Sequence, residues 1–242
     1  MADTLDGMKV IVIYGQSHKG ITWTMTQLLL EYLNPDELEE YMLPREGPPS
    51  CIGCNRCFLE GEDTCPHYDR VAHIVESMRS ADVVILAGPN YVDGMTGAMK
   101  DLMDHLAYMW MSHRPMEEMF VKTGVVITSS AGAVNRHVLS SMRHQMKSWM
   151  IPKVYSLGLI SRAWGIDDLS KKKRQYIDRR CRSIAKSIKS GCGKIPFSFG
   201  QRFMFAVFRS MQSGKAAWNE TDRIWWENHG WLEKKRPWKR SK

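Results

Sequence analysis

The sequence predicts a doubly wound α/β fold, a five-stranded parallel sheet with helices on both faces, followed by an aromatic-rich helical extension. Three observations carry this expectation. Short apolar, β-branched runs alternate five times with longer stretches of helical periodicity, the order that a parallel sheet with crossover helices requires. The runs are nearly continuous in apolar residues, as in strands buried on both faces. The 242 residues suffice for one domain of this kind plus an extension, but not for two full-size domains.

Lys9 to Tyr14 reads Lys-Val-Ile-Val-Ile-Tyr and is the first strand. It ends in Gly15-Gln16-Ser17-His18-Lys19-Gly20, and a helix follows from Thr22 to Leu33, stopping at Asn34-Pro35. Leu38 to Leu43 is a weaker second strand closed by Pro44, and a loop rich in Gly, Pro and Cys runs on to Pro66. Tyr68 to Arg79 has helical periodicity. Asp82 to Ala87 is a third strand that breaks at Gly88-Pro89-Asn90-Tyr91, before a helix from Thr96 to Trp110. Thr123 to Thr128 is the fourth strand, ending in Ser129-Ser130-Ala131-Gly132, and the helix after it covers Asn135 to Trp149. Lys153 to Leu159 is the fifth strand and Leu169 to Lys189 the last helix of the domain. Gly191 to Pro196 reads as a linker, which divides the chain into a domain over 1–192 and an extension over 193–242. Phe197, Phe199, Phe203, Phe205, Phe208, Trp218, Trp225, Trp226 and Trp231 make that extension too aromatic to be disordered. It is expected to pack on the domain, on a second subunit or over a site.

In an open parallel sheet, ligands bind beyond the carboxyl ends of the strands, where strand order reverses. Three loops there have distinctive composition. Ser17-His18-Lys19-Gly20-Ile21-Thr22 places hydroxyls and a cation just before a helix. With Gly20 bending the backbone and the helix N-terminus adding partial positive charge, it suits a phosphate monoester. It matches neither the dinucleotide fingerprint nor the Walker loop, and an ordinary strand-to-helix turn remains the alternative. Pro89, Asn90, Tyr91 and Val92 form a rigid loop that offers backbone groups and an apolar cover to a planar heterocycle. Ser129, Ser130, Ala131 and Gly132 are small enough to let a ring approach the backbone.

Cys51-x2-Cys54-x2-Cys57-x7-Cys65 is the most distinctive string in the chain. Four thiolates on one short loop suit a [4Fe–4S] cluster, with one cysteine per iron. Zinc is a second reading, although its sites more often use two separated pairs. Thiols that hold neither are a third. In a reducing cytosol cysteines gathered in this way are more often a metal or redox site than a set of disulfides. Cys181 and Cys192 have no motif context and read as ordinary thiols.

The segments 11–30, 50–69, 81–105 and 123–132 resemble the flavodoxin-like NADPH-dependent FMN reductase family, and in particular its cysteine-motif branch that includes the iron–sulfur flavoproteins. The resemblance implies that Ser17, His18, Lys19, Gly20 and Thr22 surround the phosphate of FMN. Pro89, Asn90, Tyr91, Val92 and Ser129 to Gly132 would border the isoalloxazine ring, and Cys51, Cys54, Cys57 and Cys65 match the cysteine motif. The family often has Gly-Asn-Thr in the first loop. Ile21 stands at the middle position here and shifts the expected phosphate contacts toward backbone N–H groups.

The expected function is an FMN-dependent oxidoreductase that takes electrons from NAD(P)H and passes them to a small-molecule or protein acceptor, in one reading through a [4Fe–4S] cluster. A flavodoxin-type electron carrier without NAD(P)H activity is the alternative, disfavoured by the basic net charge of +8. A flavin-free interaction module on the same fold is a third reading. The resemblance implies a homodimer or higher homo-oligomer with the flavin near the subunit boundary. No basic-then-apolar leader opens the sequence and its apolar runs are strand-sized, so a cytoplasmic protein with no membrane partner is expected. The charges at Lys234, Lys235, Arg236, Lys239, Arg240 and Lys242 read as a solvated tail, and no nucleic-acid partner is expected. His105, His113, His137 and His144 read as surface or helix-face residues, and the Met and Trp residues between Met99 and Met116 as packing or a dimer surface.

Overall fold

The computed structural model describes residues 7–191, 197–214, 217 and 219–238. Cys192, Trp218, most of the linker and the last four residues lie outside the described residues. Five strands, β1 (Lys9–Tyr14), β2 (Glu37–Met42), β3 (Val83–Ala87), β4 (Thr123–Ser130) and β5 (Lys153–Ile160), form one parallel sheet in the order β2-β1-β3-β4-β5. This is the flavodoxin-like doubly wound arrangement. The order reverses between β1 and β3, so the crevice lies beyond Tyr14 and Ala87, which stand in register.

Alternation along each strand sends successive side chains to opposite faces. Ile11, Ile13, Val84, Leu86 and Val126 pack beneath α3 (Tyr68–Ser80), α4 (Gly97–His105) and α5 (Arg136–Ser148). Val10, Val12, Val83, Ile85 and Val125 pack against α1 (Ile21–Leu33) and α6 (Lys171–Gly191). The Met-rich stretch belongs to the first of these cores: Met99, Met103, Met109 and Met116 are buried there.

The observed boundaries differ from expectation in three instructive places. The fourth strand continues through Ser130 because Ser129 and Ser130 pair with Leu159 and Ile160; these two serines are strand residues rather than loop. The helix expected to reach Trp110 stops at His105, and a 3-10 turn over Ala107–Met109 carries the chain onward. The cysteine loop contains one α-helical turn, α2 (Arg56–Leu59), and a 3-10 turn over Glu62–Thr64.

The extension forms α7 (Phe199–Ser213) and α8 (Glu220–Asn228). Its aromatic residues build a third core in which Phe205, Trp226 and Trp231 close around Phe120 and Met150 of the domain. Phe120 and Phe197 stack at 5.2 Å, and Phe205 and Trp226 lie 4.9 Å apart. The extension therefore packs on its own domain. Among the described residues no helix is long and apolar enough to cross a membrane.

Candidate functional site

Two sets of residues converge on the sequence-predicted positions. The first lies at the carboxyl ends of the strands. Thr22, in the first turn of α1, is buried, and its Oγ1 lies 2.7 Å from Oγ of Ser129 at the end of β4. This bond joins the first loop to the fourth strand across the intervening strand. Tyr91 donates its hydroxyl to Gln16 Oε1 at 3.0 Å, joining the third loop to the first. Asn90 N–H donates to Ser129 O at 2.8 Å, and Asn90 Nδ2 donates to Val134 O at 3.2 Å. The three loops are thus linked to one another by their own side chains.

Around these links lie groups that the protein leaves available. Asn90 Oδ1 is buried with no hydrogen-bond partner among the described residues. No side chain caps the N-terminus of α1, so its first-turn N–H groups point out of the helix without one. Ser17, His18 and Lys19 are exposed; the Lys19 ammonium rests over the Trp23 ring at 5.1 Å, and Ser17 Oγ donates to Leu43 O at 3.2 Å. Gly20 does not act as the sequence suggests. Its φ of −96° is open to any residue, and its N–H is spent on His18 O at 3.0 Å. Gly132 has open space where a Cβ would stand, and Ala131 beside it is exposed.

The third loop is strained in a way no sequence pattern announced. Tyr91 and Gly94 exchange two backbone hydrogen bonds of 3.0 Å, and the two residues between them, Val92 and Asp93, have φ values of 52° and 58°. Both are left-handed, as a two-residue hairpin turn of this type demands. A β-branched residue adopts that region only at a cost of order 1–3 kcal/mol. The Val92 side chain stands fully exposed; Tyr91 and Val134, after β3 and β4, and Ile160 and Trp164, at the end of β5 and beyond it, are also exposed apolar residues.

The second set is the cysteine loop. Cys51, Cys54, Cys57 and Cys65 line one hollow together with His67 and His105. Cys51 and Cys54 are exposed, and Cys57 and Cys65 half-buried. Gly53 and Asn55, both left-handed at φ 68° and 59°, turn the chain between the first three. Burial pushes the Cys57 thiol up, and the neighbouring Cys65, Cys51 and Cys54 push it further, opposed by the Arg114 guanidinium. The four cysteines thus line the same hollow. Among the described residues, however, no three His, Cys, Asp or Glu side chains are closed around a common point as metal ligands. Cys181, by contrast, is buried in the sheet core with its pKa pushed up to about 12 by that burial, as an inert thiol should be.

The sequence did not reveal what holds this loop. Arg114, only 3% exposed, donates through Nη2 to Cys57 O and to Glu62 Oε2, the latter at 3.1 Å. Its Nη1 donates to Asp222 Oδ1 at 2.7 Å, and Asp222 is 0% exposed at the start of α8. His113 Nδ1 lies 2.7 Å from the other carboxylate oxygen, and Asn219 Nδ2 donates to it at 3.0 Å. Thr221 donates to Leu59 O at 2.8 Å. The extension thus grips the cysteine loop through a buried ion pair. His105 is also buried: its Nδ1 lies 2.8 Å from Asp101 O and its Nε2 2.9 Å from His67 Nδ1. The surface assignment of His105 and His113 is therefore corrected, since both belong to the packing around the loop. A cavity of about 100 Å³ backs onto it, lined by Cys57, Cys65, Glu62, Arg79, His105 and Tyr108 among others.

Comparison with known proteins identifies the family of the chain. The family model described as NADPH-dependent FMN reductase matches residues 8–163. An iron-sulfur flavoprotein of Methanocaldococcus jannaschii is 37% identical over 101 residues, 40% of this chain and 51% of that protein, so the match spans about half of that relative's length. An iron-sulfur flavoprotein of Archaeoglobus fulgidus is 28% identical over 68% of this chain and 75% of its own length. Among solved structures, an FMN-dependent NADH-azoreductase of Bacillus anthracis in complex with FMN superposes with a TM-score of 0.55 at 12% identity, covering 73% of this chain and 99% of that one; this likeness shows the shared fold. With the family match extending over more than half of the sequence, the chain belongs to the NADPH-dependent FMN reductase family, a family of FMN-dependent oxidoreductases.

Proposed function

We propose that the protein takes electrons from NAD(P)H by means of FMN seated at the carboxyl ends of β1, β3 and β4, and delivers them to a small-molecule or protein acceptor. The observation that carries this reading is the convergence of three linked loops on an unpartnered buried acceptor, Asn90 Oδ1. That atom suits an N–H at the edge of a planar heterocycle, since a buried acceptor left unpaired costs about 1–3 kcal/mol. At the other end of the ligand, the uncapped start of α1, with Thr22 and the exposed Ser17 and Lys19, suits a phosphate. Gly20 and His18 border that position, and Ser130, Ala131 and Gly132 leave room for the ring. FMN bound there would supply both two-electron and one-electron chemistry. The chain's own contribution is to bind and orient: Tyr91 and Asn90 fix the third loop, and Pro89 and Val92 shape its edge. The apolar residues exposed around these loops support a homodimer that covers them.

The cysteine loop has the donor set of a [4Fe–4S] site. Four thiols line one hollow on a single short loop, the one-cysteine-per-iron set that such a cluster uses. Cys51, Cys54, Cys57 and Cys65 would hold the cluster, which supplies one-electron transfer. Arg114 would fix the Cys57 backbone and place positive charge beside the sulfurs. The absence of disulfides among the described cysteines is in keeping with a reducing, cytoplasmic setting.

The test is anaerobic addition of NADH, and separately NADPH, to the FMN-loaded protein while flavin absorbance is followed. Direct bleaching by either nucleotide is expected. Bleaching by dithionite alone would instead identify a flavodoxin-type electron carrier.

A further inference from the structure

Helix α7 presents a surface that the proposed chemistry does not use. Its inner side is fixed: Ser198 and Gln201 form a reciprocal cap, Phe205 is in the aromatic core, and Gln212 Nε2 donates to Ser112 O at 3.0 Å. Its outer side is apolar. Phe199, Phe203 and Val207 recur at the i, i+4 spacing that aligns side chains along one helix face, with Met204 beside them. Phe199 is 86% exposed and Phe203 60%. The helix holds two charged residues, Arg202 and Arg209, both positive, and no acidic one. An ordinary surface helix turns charged residues outward instead.

A basic segment lies alongside. Arg209 Nη2 donates to Leu232 O at 2.9 Å and to Glu233 O at 2.5 Å. Near the other end of α7, Trp238 stacks on Phe197 at 5.1 Å, and the Arg202 guanidinium lies 5.9 Å from the centre of the Trp238 ring. Residues 232–238 therefore run antiparallel to α7, carrying Lys234, Lys235 and Arg236 beside the apolar stripe. Lys235 reaches Glu117 at 3.5 Å, and Lys234 is exposed. Residues 197–242 contain ten Lys and Arg against four Asp and Glu, so +6 of the chain's net +8 lies in this stretch.

We propose that α7 and this basic segment form a surface that seats in the headgroup region of an anionic lipid bilayer, with the helix lying in the plane of the interface. An apolar stripe rich in Phe, beside a segment whose Lys234, Lys235 and Arg236 outnumber its single carboxylate, Glu233, fits such a boundary. Phe199, Phe203, Met204 and Val207 would enter the acyl edge, while Arg202 and Lys234 would meet lipid phosphates. Lipid is favoured over a protein partner because the stripe carries no carboxylate or amide to specify one, while the flanking charge complements an anionic surface. The inference departs from the sequence expectation of a solvated tail without a membrane partner, and it stands apart from the flavin and cysteine readings.

The test is sedimentation of the full chain with vesicles of phosphatidylcholine alone and of phosphatidylcholine mixed with phosphatidylglycerol, alongside light scattering for oligomeric state. The double variant F199E/F203E alters only exposed positions, and near-ultraviolet circular dichroism of the tryptophan core checks its fold. The wild type is expected to bind the mixed vesicles at least about tenfold more tightly than the neutral ones, with binding weakened by salt, and the variant to lose about tenfold or more. No binding to mixed vesicles overturns the proposal. So does equal binding by wild type and variant, which would assign the effect to the basic tail alone. A wild-type oligomer that the variant dissociates, without vesicle binding, would assign the stripe to contact between copies of the chain.

Discussion

The loops at the carboxyl ends of the strands and the cysteine loop are built on opposite plans. The first set is held by a few hydrogen bonds among its own members, Thr22 to Ser129 and Tyr91 to Gln16, and it leaves exposed apolar side chains and an unpartnered acceptor around it. The second is clamped from outside by a buried ion pair whose carboxylate comes from the C-terminal extension, more than a hundred residues away. A site at the switch point of a doubly wound sheet needs little beyond the sheet itself, because strand ends and helix N-termini already point at the ligand. A cysteine-bearing loop between β2 and α3 has no such frame, and this chain supplies one from its extension.

The largest effect expected from this contrast is at the cysteines. C57S combined with C65S should abolish bound iron while leaving FMN content near that of the wild type, measured by iron assay and flavin absorbance on the same anaerobic sample. Equal loss of both would mean that the two regions are not separable. Next comes the clamp. D222N removes the fully buried one of the two carboxylates that pair with Arg114 and leaves only the part-exposed Glu62, which should destabilise the fold by up to about 3 kcal/mol in denaturant unfolding. Iron retention should fall well before FMN retention does.

The framework of the fold was legible in the sequence because β1, β3 and β4 are short apolar runs buried on both faces, whereas the edge strand β2 is polar and largely exposed and gave the weakest signal. The boundaries of β4 were not, since Ser129 and Ser130 look like loop residues and become strand only through their pairing with Leu159 and Ile160. The three candidate loops stand at strand ends as their composition suggested, yet the left-handed pair Val92–Asp93 was invisible, because valine argues against the very turn it occupies. Arg114 and Asp222 carried no local signal at all. Asp222 sits three residues after Asn219, whose side chain accepts its N–H, and so reads as part of an ordinary helix start. Its role appears only when the fold brings it to Arg114.

Lys122 provides a control remote from both regions. It is buried at the start of β4, where its ammonium donates to Arg79 O and Ala81 O, and burial lowers its pKa from 10.5 to about 8. Below about pH 8 the ammonium is charged in both the folded and the unfolded chain. Between about 8 and 10.5 the unfolded chain binds more protons, so stability should rise with pH across that window, by roughly 3 kcal/mol at most. K122M should flatten that rise in unfolding measurements and leave iron and FMN content unchanged. The smallest effect is expected at the flavin loops. N90L removes the unpartnered acceptor and should weaken FMN binding about tenfold in fluorescence titration, with little change in iron.

The measurement that bears most directly on the two-region account is the stoichiometry of FMN, iron and acid-labile sulfide in wild-type protein purified without oxygen. The account predicts stoichiometric FMN and about four irons with matching sulfide per chain, as a [4Fe–4S] cluster on the four cysteines requires. Flavin without iron would contradict it, leaving Arg114 and Asp222 as the brace of a loop of free thiols.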